Sequence, residues 1–352
     1  MGPVVSICVV NYNYARFLTA AIDSALGQTW PEAEVVVVDD GSTDASREVI
    51  AGYGDRILVV HKVNGGQGSA FNAGFAACSG DLVCFLDADD VLEPEMAAAA
   101  AGQYLACPGL SKVQFMMRLI DRDGQDLGVT VPPRAGSLPS GDLRAHVLRF
   151  RTYPWPPSSG NVYAARALRR TLPLPAERYR TYCDAYLAEV MPLLGPIRSL
   201  DLVAVNYRFH GTNDFLSLGV SGDWLRTKID LVELGHQHVR RLASELDISP
   251  VPEASTQLRD AAFLGYRLAS LRLDPLRHPV TGDRPLTLAL RGIQASITNP
   301  LLSWRGRARR AAWFLAAALL PGLPGRAIAR RWLPDGPGRR RGWPHPTPTP
   351  PS

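Results

Sequence analysis

Within the first ninety residues, apolar runs at 4–10, 34–38, 57–61 and 82–86 alternate with stretches of helical period. That alternation confines the chain to strand–helix–strand units. The runs are nearly continuous rather than every-other-residue, as expected of parallel strands covered on both faces. After the first run, Phe17, Leu18, Ala21, Ile22, Ala25 and Leu26 recur at helical spacing. Ser42-Thr43-Asp44 offers N-cap residues for a short helix through Ile50. A Gly-rich loop at 64–69 leads into a helix through Ala77, and Pro94 suits the first turn of an Ala-rich helix. The expected fold is α/β, Rossmann-like: a mostly parallel central sheet with helices on both faces.

Three of the four runs end in polar or acidic residues: Asn11-Tyr12-Asn13, Asp39-Asp40 and Asp87-Ala88-Asp89. In a parallel sheet these ends share one edge, where open α/β folds bind ligands. Asp87 and Asp89 are hard oxygen donors spaced i and i+2, a set that suits Mg²⁺ or Mn²⁺, which in turn suit a diphosphate. Standing alone, these acids would be equally well explained as a solvated turn, and Asp90 as a helix cap. The convergence of three strand ends favours a nucleotide site. Tyr12 supplies a stacking face, and Asp39 and Asp40 supply acceptors for a base N–H or a ribose hydroxyl.

The chain has 352 residues, 46% of them hydrophobic, enough for one large or two medium domains. Its cysteines, Cys8, Cys78, Cys84, Cys107 and Cys183, stand singly without a CxxC pair. The expectation is a reducing, cytoplasmic location with no disulfide framework and no zinc site. A strand begins within a few residues of Met1, so no signal peptide is expected. No apolar run reaches the roughly 18 residues of a membrane span.

Residues 112–208 are less regular, with a strand at 113–119, a hairpin turn at Asp121-Arg122-Asp123-Gly124, a Pro-rich loop at 153–161 and a helix at 184–194. Beyond His210 the pattern turns helical, at 224–246, 254–273 and 286–297. The expected division is 1–215 (a nucleotide-binding half, 1–110, and an acceptor half, 111–215), a helical C-terminal extension at 216–300, and a tail at 301–352 ending in a Pro-rich, disordered segment. That tail carries ten Arg against Asp335, a local +9 in a chain of net +5, so residues 1–300 carry −4. Its apolar helix, 311–320, is flanked by arginines and by Trp313 and Trp332. Such a helix suits an anionic membrane interface, which would make the protein peripheral at the inner face. The alternative is a helix packed on the protein with solvated arginines. If the membrane alternative holds, deletion after Ser303 leaves the rest folded. Nucleic acid is not an expected partner, because the basic tail lacks a groove lined with aromatic platforms.

Residues 5–44, VSICVVNYNYARFLTAAIDSALGQTWPEAEVVVVDDGSTD, and 64–90, NGGQGSAFNAGFAACSGDLVCFLDADD, resemble the family 2 glycosyltransferases of GT-A fold. The likeness is dense over about 4–95. It thins through Ser159-Gly160-Asn161 and Tyr207-Arg208-Phe209-His210-Gly211, and stops near 215. The resemblance implies inverting transfer of a sugar from a nucleotide-diphosphate donor to a hydroxyl of a glycan, a lipid-linked saccharide or a small molecule, in cell-surface glycan or polysaccharide biosynthesis. It places Tyr12, Asp39, Asp40, Gln67, Asp87 and Ala88 at the donor nucleotide and Asp89, with Asp87, on the metal. His210, Arg208, Gly160 and Asn161 fall on the leaving-group or acceptor side.

In the family an acid in a Glu-Asp pair deprotonates the acceptor. Asp184 matches the second member, Cys183 stands where the Glu commonly sits, and Glu177 and Glu189 are the fallback bases. Many relatives carry an Arg where this chain has Phe71, which leaves the donor phosphates to the metal, to Gln67 or to loop amides. Phe71 and Cys183 keep open a non-catalytic sugar-nucleotide-binding relative. A nucleotidyltransferase would share the nucleotide-binding fold. It would normally show a basic Gly-rich loop after the first strand, where this chain has Asn11-Tyr12-Asn13-Tyr14-Ala15-Arg16.

Overall fold

The structure is a computed structural model that describes residues 2–133, 136–210, 220–248, 260–320 and 322–331. Gly211, Trp332, Asp335 and the Pro-rich end lie outside the described residues. The chain forms two compact units, one from residues up to 143 with 154–209, the other from 144–153 with the chain from 210 onward.

The first unit opens with β1 (Val5–Asn11), α1 (Ala15–Leu26), β2 (Ala33–Asp39), α2 (Ser46–Ala51), β3 (Leu58–His61), α3 (Gln67–Ala77) and β4 (Leu82–Asp87). There follow β5 (Val91–Leu92), α4 (Met96–Ala106), β6 (Lys112–Ile120) and β7 (Asp126–Val131). After the excursion into the second unit come β8 (Asn161–Ala164), α6 (Ala165–Leu168), α7 (Cys183–Leu194) and β9 (Ile197–Arg208); α5 (Arg144–Phe150) belongs to the second unit. One sheet runs in the order β3-β2-β1-β4-β8-β6-β9-β5, with β7 on β6. It is parallel from β3 to β4 and mixed beyond, where β8 runs against both β4 and β6 while β6 and β9 are parallel.

The expected alternation is therefore present, and its cause is visible in the packing. β1, β2 and β4 are buried along most of their length, and α1 lays Leu18, Ala21, Ile22 and Ala25 into the core. Each fully buried side chain of Val or Leu size contributes about 1.5–3 kcal/mol by leaving water. A Cβ on Gly74 would stand 2.2 Å from the Cys8 sulfur, so this glycine is what lets α3 lie close against β1. The turn at Asp121–Gly124 does close a hairpin, the Asp121 amide donating to Gln125 O at 2.9 Å. Pro94 differs from expectation: α4 begins at Met96, two residues later.

In the second unit, α8 (Gly222–Glu245), α9 (Ala261–Leu273), α10 (Pro285–Thr298), α11 (Trp304–Leu319) and α12 (Gly322–Arg331) surround one core. Leu225, Phe263, Leu268, Leu288, Trp313 and Phe314 meet there. Within it a polar chain is closed: His278 bonds Ser270 Oγ and Asp283 at 3.0 Å each, and Asp283 is gripped by Arg267. The Arg-rich stretch 305–310 is not a flank but the first half of α11. Trp313, expected at an interface, is core, 4% exposed with its indole N–H on Ile328 O at 3.2 Å. Deletion after Ser303 would remove Trp313 and Phe314 from this core, so the truncated chain is not expected to keep the unit folded. Among the described residues no helix is long and apolar enough to cross a membrane.

Candidate active site

The three polar strand ends do share one edge. In the sheet register Asn11 lies beside Asp39, and Val10 beside Asp87. Tyr12, immediately past β1, is 45% exposed.

The aspartates at the end of β2 are buried and tied into the protein. Asp39 is fully buried, taking Asn11 Nδ2 and the Ser42 amide at 3.3 Å and Arg47 Nε at 3.3 Å. Burial pushes its carboxyl up, but the bonds from Ser42, Arg47 and Asn11 outweigh that and hold it below the usual range. Asp40, also buried, accepts from Lys62 Nζ (2.5 Å), Asn64 Nδ2 (3.1 Å) and the amides of Gly65 (3.0 Å) and Gly66 (2.8 Å). Both carboxylates are held in place by donors of the protein itself. Replacing Asp40 by Ala would strand the Lys62 ammonium and three further donors. That is expected to cost about 3 kcal/mol or more of stability by denaturant titration.

The acids after β4 form the centre of the site. Asp87 is half-buried, its amide bonded to Ser159 Oγ at 3.0 Å and its carboxylate to Gln67 Nε2 at 3.2 Å. Desolvation, then the charges of Asp89 and Asp184, push the Asp87 carboxyl up to about 8, against the pull of Gln67 and Ser158. Asp184 is thus within electrostatic reach of the strand-end acids, although nearly a hundred residues separate them in sequence. It lies half-buried in the first turn of α7, bonded to the next amide at 2.9 Å. The N-cap of α7 is Tyr182, so capping does not explain Asp184. Cys183 is buried, and desolvation followed by Asp184 and Asp87 raises its thiol far out of the titrating range.

Asp90 is fully buried and accepts the Arg208 amide at 2.9 Å; desolvation and its neighbours Asp89 and Asp87 raise its carboxyl well above normal. Ala88, buried, donates its amide to Val10 O and pins the turn to β1. Arg208 packs its guanidinium against the turn carbonyls. Nε donates to Asp89 O at 2.8 Å and Nη1 to Asp121 O and Arg122 O at 3.2 Å, over the Phe17 ring at 4.9 Å. It holds the acidic turn from behind. Asn161 Nδ2 donates to the carbonyls of Pro156, Pro157 and Ser158, and a Cβ on Gly160 would sit 2.7 Å from Pro156. What they position is Ser158 and Ser159, which touch Gln67 and Asp87. His210 falls in the second unit. Of the fallback bases, Glu177 is exposed in the loop ahead of α7, and Glu189 is five residues beyond Asp184 on that helix.

Three participants escaped the sequence reading as site residues. Ser158 and Ser159 are ordinary loop serines until the fold brings that loop against β4. Lys112, at the start of β6, is 1% exposed. Burial lowers its amine to about 7, and the charge of Asp184 works in the opposite direction. A lysine opening an apolar strand was the only available signal.

The donor set fits a divalent cation. Desolvation and, after it, the like charges of Asp89 and Asp184 raise Asp87, and a bound cation relieves that electrostatic strain. Among the described residues no group of three or more His, Cys, Asp or Glu forms a metal cage. One or two carboxylates completed by substrate phosphates is the usual arrangement for Mg²⁺.

An α/β sheet that gathers polar and acidic strand ends at one edge is an architecture that binds ligands there. The family model for glycosyl transferase family 2 matches residues 6–118. An uncharacterised glycosyltransferase of Nostoc sp. is 37% identical over 219 residues, 60% of this chain and 67% of the relative. The chondroitin synthase of Pasteurella multocida is 38% identical over 125 residues, 35% of this chain but only 13% of that enzyme. The crystal structure of S. aureus TarS 1–349 in complex with UDP-GlcNAc shares the fold at a TM-score of 0.51 and 18% identity, covering 93% of this chain and 90% of that one. The chain belongs to the family 2 glycosyltransferases.

Proposed function

We propose that this glycosyltransferase is metal-dependent and inverting, moving a sugar from a nucleotide-diphosphate donor to a glycan, lipid-linked or small-molecule hydroxyl. It would act in cell-surface glycan or polysaccharide assembly. The observation that carries the reading is that the packing of α7 brings Asp184 within electrostatic reach of Asp87 at the sheet edge. It sets a carboxylate suited to a general base beside carboxylates suited to a cation. Tyr12 stacks on the base of the nucleotide. Asp87 and Asp89 hold Mg²⁺ or Mn²⁺, whose chemistry when bound is Lewis-acid stabilisation of charge on the departing diphosphate. Asp184 takes the proton of the acceptor hydroxyl as that oxygen attacks the anomeric carbon from the face opposite the leaving group. The test is binding: a panel of UDP-, dTDP- and GDP-sugars, with and without Mn²⁺, is expected to raise the melting temperature for one nucleotide class. No shift with any of them would remove the donor reading.

The membrane contact of the tail is relocated rather than abandoned. With Trp313 and Phe314 in the core, the exposed apolar side chains are Leu286, Leu290 (66%) and Ile297 on α10, and Trp304 (73%), Leu315 and Leu319 on α11. Leu286, Leu290 and Ile297 recur at helical spacing along one stripe, and Arg291, Arg305 and Arg309 are exposed among these residues. Apolar side chains interspersed with arginines match an anionic lipid surface. Leu290→Glu combined with Trp304→Glu is expected to cut binding to anionic vesicles by roughly tenfold or more, leaving the melting temperature near that of the wild type. Unchanged sedimentation with such vesicles would refute the contact.

A further inference from the structure

Phe71 stands where a cation was expected for the donor phosphates, and the structure closes that position. Its ring stacks on Phe85 at 4.0 Å between centroids and is 1% exposed. The loop amides, the other expected phosphate donors, are also used. Gly65 N and Gly66 N donate to Asp40 at 3.0 and 2.8 Å, Gln67 N to Arg180 O at 2.8 Å, and Gly68 N to Tyr179 O at 3.1 Å. The first amides of a helix are normally open donors for an anion. At the start of α3 they are occupied by Asp40 and by the segment ahead of α7.

The same segment brings a replacement. Arg180 is pressed onto the loop: a Cβ on Gly66, which has φ +83°, would lie 2.7 Å from Arg180 O. Its side chain is exposed, with Nη2 donating to Asn64 Oδ1 at 2.8 Å. The residue bonded to its carbonyl, Gln67, is the one whose amide reaches Asp87. The other cations of this edge are committed elsewhere. Lys62 is bound to Asp40, Lys112 is buried, and Arg208 is spent on carbonyls. A guanidinium carries a planar fork of donors that matches phosphate oxygens two at a time, so one exposed arginine can replace a set of amides.

We propose that Arg180 binds the diphosphate of the nucleotide donor, taking the place left by Phe71 and by the occupied loop amides. This rests on the donor reading above. Calorimetric titration with UDP, dTDP and GDP in the presence of Mg²⁺, and with the matching nucleoside and nucleoside monophosphate, tests it. For whichever diphosphate binds, Arg180→Gln is expected to weaken affinity roughly tenfold or more and to leave nucleoside affinity unchanged. Arg180→Lys should recover part of the loss. Arg178→Gln, an exposed control two residues earlier in the same segment, should bind as wild type does. Equal diphosphate affinity in wild type and Arg180→Gln would overturn the assignment while the donor reading stands. A wild-type protein that binds none of the three diphosphates would overturn both.

Discussion

Asp89→Asn is expected to lower sugar transfer by roughly a thousandfold, since several kcal/mol of charge stabilisation at the leaving diphosphate depends on this carboxylate. The fold should survive. Arg208, which ties down the turn, bonds the Asp89 backbone carbonyl and the Asp90 carboxylate, contacts that the Asp89→Asn change leaves in place. Circular dichroism and a melting curve close to those of the wild type would show this. The loss should appear as weakened Mn²⁺-dependent stabilisation by the donor as well as in turnover. Full activity in this variant would remove Asp89 from the site. Asp90→Asn is the informative contrast. Asp90 is fully buried behind the turn, so its variant tests support of the loop rather than contact with the donor.

Asp184→Asn should separate binding from chemistry. Removing a general base costs about 10²–10⁴ in rate, while a neutral amide of the same shape leaves the donor contacts of Tyr12, Gln67, Asp87 and Asp89 in place. The donor is therefore expected to stabilise the variant at least as well as the wild type. One like charge disappears from beside Asp87, whose carboxyl Asp184 helps to raise. Transfer measured at saturating donor should fall, and KM for the donor should change little. Unchanged transfer would move the base elsewhere, with Glu189, farther along α7, the next residue to test.

Much of this was legible in the amino-acid order because it follows from local rules. Continuous apolar runs became β1, β2 and β4, and the residues ending them came to one edge because a parallel sheet leaves their carboxyl ends no other place. Asp184 was legible only through the family likeness. No periodicity joins it to Asp87, and only the packing of α7 does. The donors that meet Asp39 and Asp40 were not legible, because residue type says that a carboxylate accepts hydrogen bonds, not which protein donors reach it. Lys62, Asn64 and the Gly65–Gly66 amides are brought to Asp40 by the turn after β3. Trp313 illustrates a similar limit. In an Ala-rich helix the apolar residues do not mark a single face, so the sequence could not say that Trp313 points into the core while Trp304 stays exposed. The inclusion of residues 144–153 in the helical unit depends on long-range packing that no local pattern encodes.

The central claim is that this sheet edge breaks the bond between a sugar and a nucleoside diphosphate, and the most direct measurement is release of free nucleoside diphosphate. Wild-type protein and Asp89→Asn would be incubated with UDP-, dTDP- and GDP-sugars and Mn²⁺, with and without a mixture of glycan and small-molecule acceptors. Release by the wild type from one nucleotide class, increased by acceptor and lost in Asp89→Asn, is the expected result. Release from no donor above the Asp89→Asn background would contradict it.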